Sequence, residues 1–215
     1  MKIGVFDSGV GGEAVAKKIK KALPEHEIIL REDKEHVPYG SREPNEILGF
    51  ITPIFQSMID DGCKIIVVAC NTVTTTLINE IREKFAIPFV AIEPMVKPAS
   101  ALTITGVITI CATPATLKSE RYKLLKNEFT QGITVIEPDC SKWARLIETN
   151  QIDQNSISEM VNDSIRQNSD VIVLACTHYQ WIESDIKEIA GDKAQVIEPS
   201  AATIEQLKKV ISQLQ

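Results

Sequence analysis

The chain has 215 residues, 44% of them hydrophobic and 24% charged, and a formal net charge of −6 at pH 7. At roughly 100–200 residues per domain this allows one large domain or two small ones, with a core that needs no disulfide or structural metal. The composition excludes a disordered or collagen-like chain. The acidic balance, with no dense Lys/Arg stripe, argues against a nucleic-acid partner.

In chain order, residues 2–6 read as a short apolar strand ending at the turn Asp7-Ser8-Gly9, an apolar run too short for a signal-peptide core. A helix is expected over 12–22, closed by Pro24, with Lys17, Lys18, Lys20 and Lys21 on its solvated face rather than in a phosphate patch. A strand follows over 27–31, then a turn at Pro38-Tyr39-Gly40, where Tyr39 reads either as a pocket residue or as a surface loop aromatic. The periodicity predicts a helix over 43–61, a strand buried on both faces over 64–69, a helix over 74–85 and a strand over 89–92. Residues 98–117 carry no charge over the length of a membrane span, but Pro98, Gly106, Pro114 and five threonines fit a loop followed by a buried strand better. No membrane association is therefore expected.

The second half repeats the plan. Strands are expected over 105–111, 134–137, 171–175 and 195–197, and helices over 116–127, 141–148, 154–167, 180–190 and 201–213. Continuous apolar strands alternating with amphipathic helices imply the α/β class, with parallel sheets covered on both faces. Ile65-Ile-Val-Val-Ala-Cys70 resembles Val171-Ile-Val-Leu-Ala-Cys176, and Ile92-Glu93-Pro94 matches Ile197-Glu198-Pro199 at nearly the same offset. These matches predict two pseudo-symmetric α/β domains facing each other across a cleft. The first would comprise 1–94 plus 198–215, and the second 95–197.

The five cysteines, Cys63, Cys70, Cys111, Cys140 and Cys176, are odd in number and include no Cys-x-x-Cys. A disulfide framework or a zinc site is not expected, and reduced thiols suit a cytoplasmic protein. Cys70 and Cys176 each follow a buried strand and precede a helix. There, ligands gather and free N–H groups favour a thiolate. A buried cysteine can also be a small apolar filler. Equivalent positions in an internal repeat favour the chemical reading for these two, whereas Cys63, Cys111 and Cys140 keep the structural one. Asn71 and Thr72 follow the first thiol, and Thr177 and His178 the second. Gly9, Gly11 and Gly12 would let backbone N–H groups approach a ligand carboxylate, but this is not a G-x-G-x-x-G nucleotide fingerprint.

Asp7-Ser8-Gly9-Val10-Gly11-Gly12, Val37-Pro38-Tyr39-Gly40, Cys70-Asn71-Thr72 and Cys176-Thr177-His178-Tyr179 resemble, in order, the motifs of the glutamate racemases. Secondary likenesses are Lys97-Pro98-Ala99, Ala112-Thr113-Pro114-Ala115-Thr116 and Glu148. The resemblance spans nearly the whole chain. It implies racemisation of glutamate without PLP or metal, supplying D-glutamate for peptidoglycan, with Cys70 and Cys176 as acid/base thiols on opposite sides of the α-carbon. It pairs Asp7 with Cys70 and His178 with Cys176 as proton-transfer assistants, Cys70 acting on D-glutamate and Cys176 on L-glutamate. Glu148 would be an acidic group near the second thiol, its alternative being a solvated helix carboxylate. For His178 the alternative is a hydrogen-bonded structural imidazole. The resemblance implies substrate contacts from Asp7, Ser8, Pro38, Tyr39, Gly40, Asn71, Thr72, Thr113, Thr116, Thr177 and His178, and leaves a homodimer open.

The chain departs from the family's pattern at Gln180, where Pro is usual, and at Glu32, where Gly usually precedes Asp33. It departs again at Thr74-Thr75-Thr76, where smaller residues are common. Rival readings are an aspartate or broad-specificity racemase, a non-catalytic amino-acid-binding homologue and a cysteine hydrolase. A binder needs no acid/base pair, and a hydrolase needs one nucleophile with a base rather than two symmetry-related thiols.

Overall fold

A computed structural model describes residues 1–214. Its elements in chain order are β1 (Lys2–Asp7), α1 (Gly11–Ala22), β2 (Glu27–Glu32), α2 (Pro44–Asp60), β3 (Cys63–Val68), α3 (Asn71–Lys84) and β4 (Phe89–Ala91). The second half supplies α4 (Val96–Leu102), β5 (Val107–Cys111), α5 (Pro114–Lys118), α6 (Glu120–Phe129), β6 (Thr134–Ile136), α7 (Trp143–Glu148), α8 (Gln154–Arg166), β7 (Val171–Leu174), α9 (Glu183–Ala190), β8 (Gln195–Ile197) and α10 (Ser200–Gln213).

The strands form two four-stranded parallel sheets, ordered β2-β1-β3-β4 and β6-β5-β7-β8. Each element of the first order has its counterpart in the second, so the repeat legible in the sequence is a repeat of topology. In both, the crossover direction reverses beside the first strand, between β1 and β3 and between β5 and β7. That is where α/β sheets open a crevice at the strands' carboxyl ends. Cys70 lies just beyond β3 and Cys176 just beyond β7.

The strands are apolar on both faces because helices cover both. In the first sheet Ile3, Val5, Ile65 and Val67 pack against Val15 and Ile19 of α1 and Leu207 and Ile211 of α10. Phe6, Ile66 and Val68 turn the other way, against Phe55 and Met58 of α2 and Leu77 and Ile81 of α3. Phe6 and Phe55 meet edge to face with ring centroids 5.0 Å apart, a favoured aromatic geometry. In the second sheet Ile108, Ile110, Val171 and Val173 meet Val96 and Ala99 of α4 and Tyr122 and Leu125 of α6. Ile172, Leu174 and Cys111 meet Trp143, Ile157, Val161 and Ile186 on the opposite face.

Four expectations about local structure need correction. The stretch before β5 holds the helix α4 rather than a loop, because Pro98 falls in its first turn, where the missing N–H costs no intrahelical bond. The helix expected over 116–127 is two helices broken at Ser119. Its hydroxyl accepts from the Tyr122 N–H and caps the second, as Thr113 caps the first through the Thr116 N–H. The helix expected from 180 begins at Glu183, after a 3-10 turn over Thr177–Ile182. Finally, α3 starts directly after Cys70, at Asn71 rather than Thr74.

Candidate active site

Cys70 and Cys176 open into one small cavity between the two lobes, lined on one side by Ser8, Pro38, Tyr39, Gly40, Asn71 and Thr72 and on the other by Thr113, Ala144, Thr177 and His178. Nine of the eleven expected substrate-contact residues therefore line it. Asp7 and Thr116 do not. The Thr113 hydroxyl donates to the Thr116 hydroxyl and accepts from the Thr116 N–H, so Thr116 holds Thr113 from behind. Ala144 is a lining residue with no polar signal in the sequence. Tyr39 is 1% exposed, which settles it as a pocket residue.

The lobes are closed on each other. The free space between them is about 10 Å³ for a water centre, room for about one water molecule. Cross-lobe hydrogen bonds hold this arrangement. The Thr177 hydroxyl donates to Asp7 Oδ1 at 2.9 Å, and the Thr72 and Thr113 hydroxyls lie 3.0 Å apart. The Val10 N–H donates to Glu148 Oε1 at 3.1 Å, and Trp181 Nε1 donates to the Val10 carbonyl at 3.2 Å. Lys18 is not simply solvated. It reaches Gln180 Oε1 at 3.0 Å and Glu198 Oε1 at 3.1 Å.

The glycines of the first turn have a role different from the one expected. A Cβ at Gly9 would lie 2.1 Å from Glu148 Oε1 and 2.8 Å from His178 Nε2, and one at Gly11 would lie 2.6 Å from the Thr177 backbone carbon. Their missing side chains let the opposite lobe approach. The carboxylate held by this turn is that of Glu148.

Each thiol has its own surroundings. Cys70 Sγ is 3.5 Å from Ser8 Oγ. Burial pushes the Cys70 thiol up to about 12, and the Asp7 charge adds to this. The Ser8 hydroxyl and the Val73 N–H, in the first turn of α3, pull the other way. Cys176 Sγ is 3.7 Å from His178 Nδ1, and His178 Nε2 is 3.5 Å from Glu148 Oε1. Burial disfavours the His178 charge. The contacts with Cys176 and Glu148 and the Asp7 charge outweigh it and hold the imidazole up at about 11. Burial likewise opposes the Glu148 charge, but His178, the Val10 N–H and Lys34 prevail and lower it below the usual carboxylate range. Asp7 is pushed by burial up to about 6, against the His178 charge, the Thr177 hydroxyl and the Gly9 N–H, with the Glu32 charge adding to burial.

Among the described residues, two side chains of the cavity have unmet hydrogen-bonding capacity, Asn71 and His178, whose Nε2 is buried without a hydrogen-bond partner. Both side-chain atoms of Asn71 are buried without partners. An orphaned amide is costly, and a ligand offering both a cation and a carboxylate would satisfy its oxygen and its nitrogen. Tyr39 is oriented by Asp33, whose Oδ2 accepts from the phenol at 2.5 Å and whose carboxylate also lies 2.9 Å from His36 Nδ1. In the sequence Asp33 stands out only beside the departure at Glu32, and its bond to Tyr39 is set by the fold. Among the described residues no cluster of three metal-ligating side chains occurs.

A sequence profile described as Asp/Glu/hydantoin racemase matches residues 3–207. The chain is 35% identical over 214 residues to the glutamate racemase of Herpetosiphon aurantiacus, covering 98% of this chain and 84% of that one. It is 36% identical over 212 residues to the enzyme of Clostridium perfringens strain SM101, covering 96% and 82%. The crystal structure of Escherichia coli glutamate racemase in complex with L-glutamate and the activator UDP-MurNAc-Ala superposes with a TM-score of 0.90 at 26% identity, over 98% of this chain and 82% of that one. The chain belongs to the glutamate racemases of the Asp/Glu/hydantoin racemase family.

Proposed function

We propose that this protein interconverts L- and D-glutamate with Cys70 and Cys176 as its two acid/base groups. The observation that carries the reading is that two thiols from equivalent points of twin lobes share one cavity. Inverting a stereocentre by proton transfer requires a base on one face of the α-carbon and an acid on the other. Two lobes related by a pseudo-twofold provide that arrangement.

In the direction from D-glutamate, Cys70 gives its proton to Asp7 and the resulting thiolate removes the α-proton, while the Cys176 thiol protonates the other face. In reverse, Cys176 is the base, with the imidazole of His178, held by Glu148, beside its sulfur. An α-proton is far less acidic than a thiol, so the site must stabilise a carbanionic transition state, each ~1.4 kcal/mol giving tenfold in rate. The helix N–H groups at Asn71 and Thr72 and the Asn71 amide supply neutral donors for the carboxylates.

The domain division at 94/95 and 197/198 belongs to the same reading. The packing of α10 on β4 and α1, and of α4 on β5 and β7, supports it. No described helix is long and apolar enough to cross a membrane, which suits a cytoplasmic enzyme supplying D-glutamate to peptidoglycan synthesis.

The test uses purified protein with L- or D-glutamate, or either aspartate enantiomer, and no added PLP or metal, followed by circular dichroism. Loss of the glutamate signal is expected. Retention of chirality in all four overturns the reading, and loss with aspartate alone would make the protein an aspartate racemase.

A further inference from the structure

The structure places Glu32 beside Asp7, at the end of the neighbouring strand. Asp7 and Glu32 are direct partners in the β1–β2 register. In parallel strands, residues in register point to the same face, so the two carboxylates share the α1 side of the sheet. Both border Gly12. A Cβ there would lie 2.7 Å from Asp7 Cβ and 3.5 Å from Glu32 Oε1. Glu32 Oε1 is buried without a hydrogen-bond partner among the described residues, while Oε2 lies 2.9 Å from Lys34 Nζ.

We propose that Glu32 is a positioning residue for Asp7: its carboxylate, set against Asp7 in register and tethered by Lys34, controls the proton that Asp7 carries. This rests on the racemase reading only where Asp7 is given its role as base to Cys70. A like charge on the same sheet face makes the second carboxyl hold its proton to higher pH, and a cation next to that charge weakens the effect. The other groups facing Asp7 are His178 and Thr177 from the opposite lobe and Cys70 from the end of β3, while Glu13 and Glu148 act on Lys34. The Glu32 charge acts on Asp7 in the same direction as burial.

Glu32 and Lys34 should therefore push in opposite directions. The test follows the Asp7 carboxyl by carbon-13 NMR titration, and the acidic limb of kcat/KM, in the full-length wild type, Glu32→Gln, Lys34→Met and the double variant. The Asp7 midpoint, at about 6 in the wild type, should fall by about one pH unit in Glu32→Gln and rise in Lys34→Met. The double variant should lie close to Glu32→Gln, since the nearest partner of the Lys34 ammonium is Glu32 Oε2, with Glu13 and Glu148 farther off. An unmoved midpoint in Glu32→Gln, or the two single variants shifting alike, overturns the proposal. Lys34 is exposed, so its variant decides the matter even if Glu32→Gln does not fold. If the midpoint moves while the kinetic limb stays, the influence of Glu32 on Asp7 stands and the base role of Asp7 falls.

Discussion

Cys70 begins a 14-residue α-helix and meets a serine hydroxyl, whereas Cys176 begins a 3-10 turn and meets an imidazole. Both thiols follow the third strand of an identically ordered sheet. Yet burial drives the first thiol up to about 12 beside a carboxyl that itself sits near 6, while the second adjoins a histidine held protonated and tied to Glu148. The difference teaches that topology fixes where the two thiols stand, and that local residues fix what each one meets. On the racemase reading, one side relies on Asp7 and the other on His178 to move its proton.

The sharpest way to break this comparison is to remove one thiol at a time. Cys70→Ala and Cys176→Ala should each lower racemisation by about 10³-fold or more, since each removes an entire proton-transfer step. The equilibrium constant between enantiomers is one, so kcat/KM must fall equally in both directions. Any asymmetry can appear only in kcat and KM separately. Full activity in either variant, measured by circular dichroism, would remove the two-thiol assignment.

The assisting groups come next. Asp7→Asn and His178→Gln should each cost about 10²-fold in kcat/KM, and Asp7→Asn should also abolish the acidic limb near pH 6. The same substitution has a stability signature. The folded-state value of Asp7 is raised from 3.8 to about 6. Below pH 3.8 both states hold the proton and the group contributes nothing to pH dependence. As pH rises through the window from 3.8 to 6 the unfolded state loses its proton first, so folding becomes less favourable by about 3 kcal/mol in total. Urea denaturation should show Asp7→Asn gaining on the wild type across that window. A constant difference between the two would contradict the buried, neutral carboxyl.

The lobe contact gives smaller effects. Gly11→Ala places a methyl 2.6 Å from the Thr177 backbone, so the lobes cannot close fully. KM for glutamate should rise about tenfold, read from initial rates. Thr72→Val removes one partner of the 3.0 Å hydroxyl pair with Thr113 and should cost only a few-fold, in line with the net worth of a single hydrogen bond.

The sheets, their helices and the repeat were legible because buried parallel strands leave continuous apolar runs such as Ile65–Val68 and Val171–Leu174. The thiols were legible because they end those runs. Contacts across the cleft were not. The glycines at 9 and 11 are shaped by Thr177, His178 and Glu148, more than 130 residues away in sequence, and no local pattern encodes such a pairing. Glu32 and Asp33 stood out only as a local departure; the strand pairing that sets Glu32 beside Asp7 and the turn that brings Tyr39 onto Asp33 belong to the fold. The breaks at Ser119 and before Glu183 were missed because side-chain capping and a 3-10 turn override an otherwise helical periodicity.

Deuterium distribution early in turnover tests the central claim most directly. L-Glutamate is incubated in D₂O, and both enantiomers are analysed by chiral separation and mass spectrometry before equilibrium. Two monoprotic thiols on opposite faces predict D-glutamate deuterated at Cα, while the remaining L-glutamate keeps its protium, because the base that removed the proton can only return it. Protium carried into the product, or equal labelling of both enantiomers from the start, would contradict two thiols acting from opposite sides.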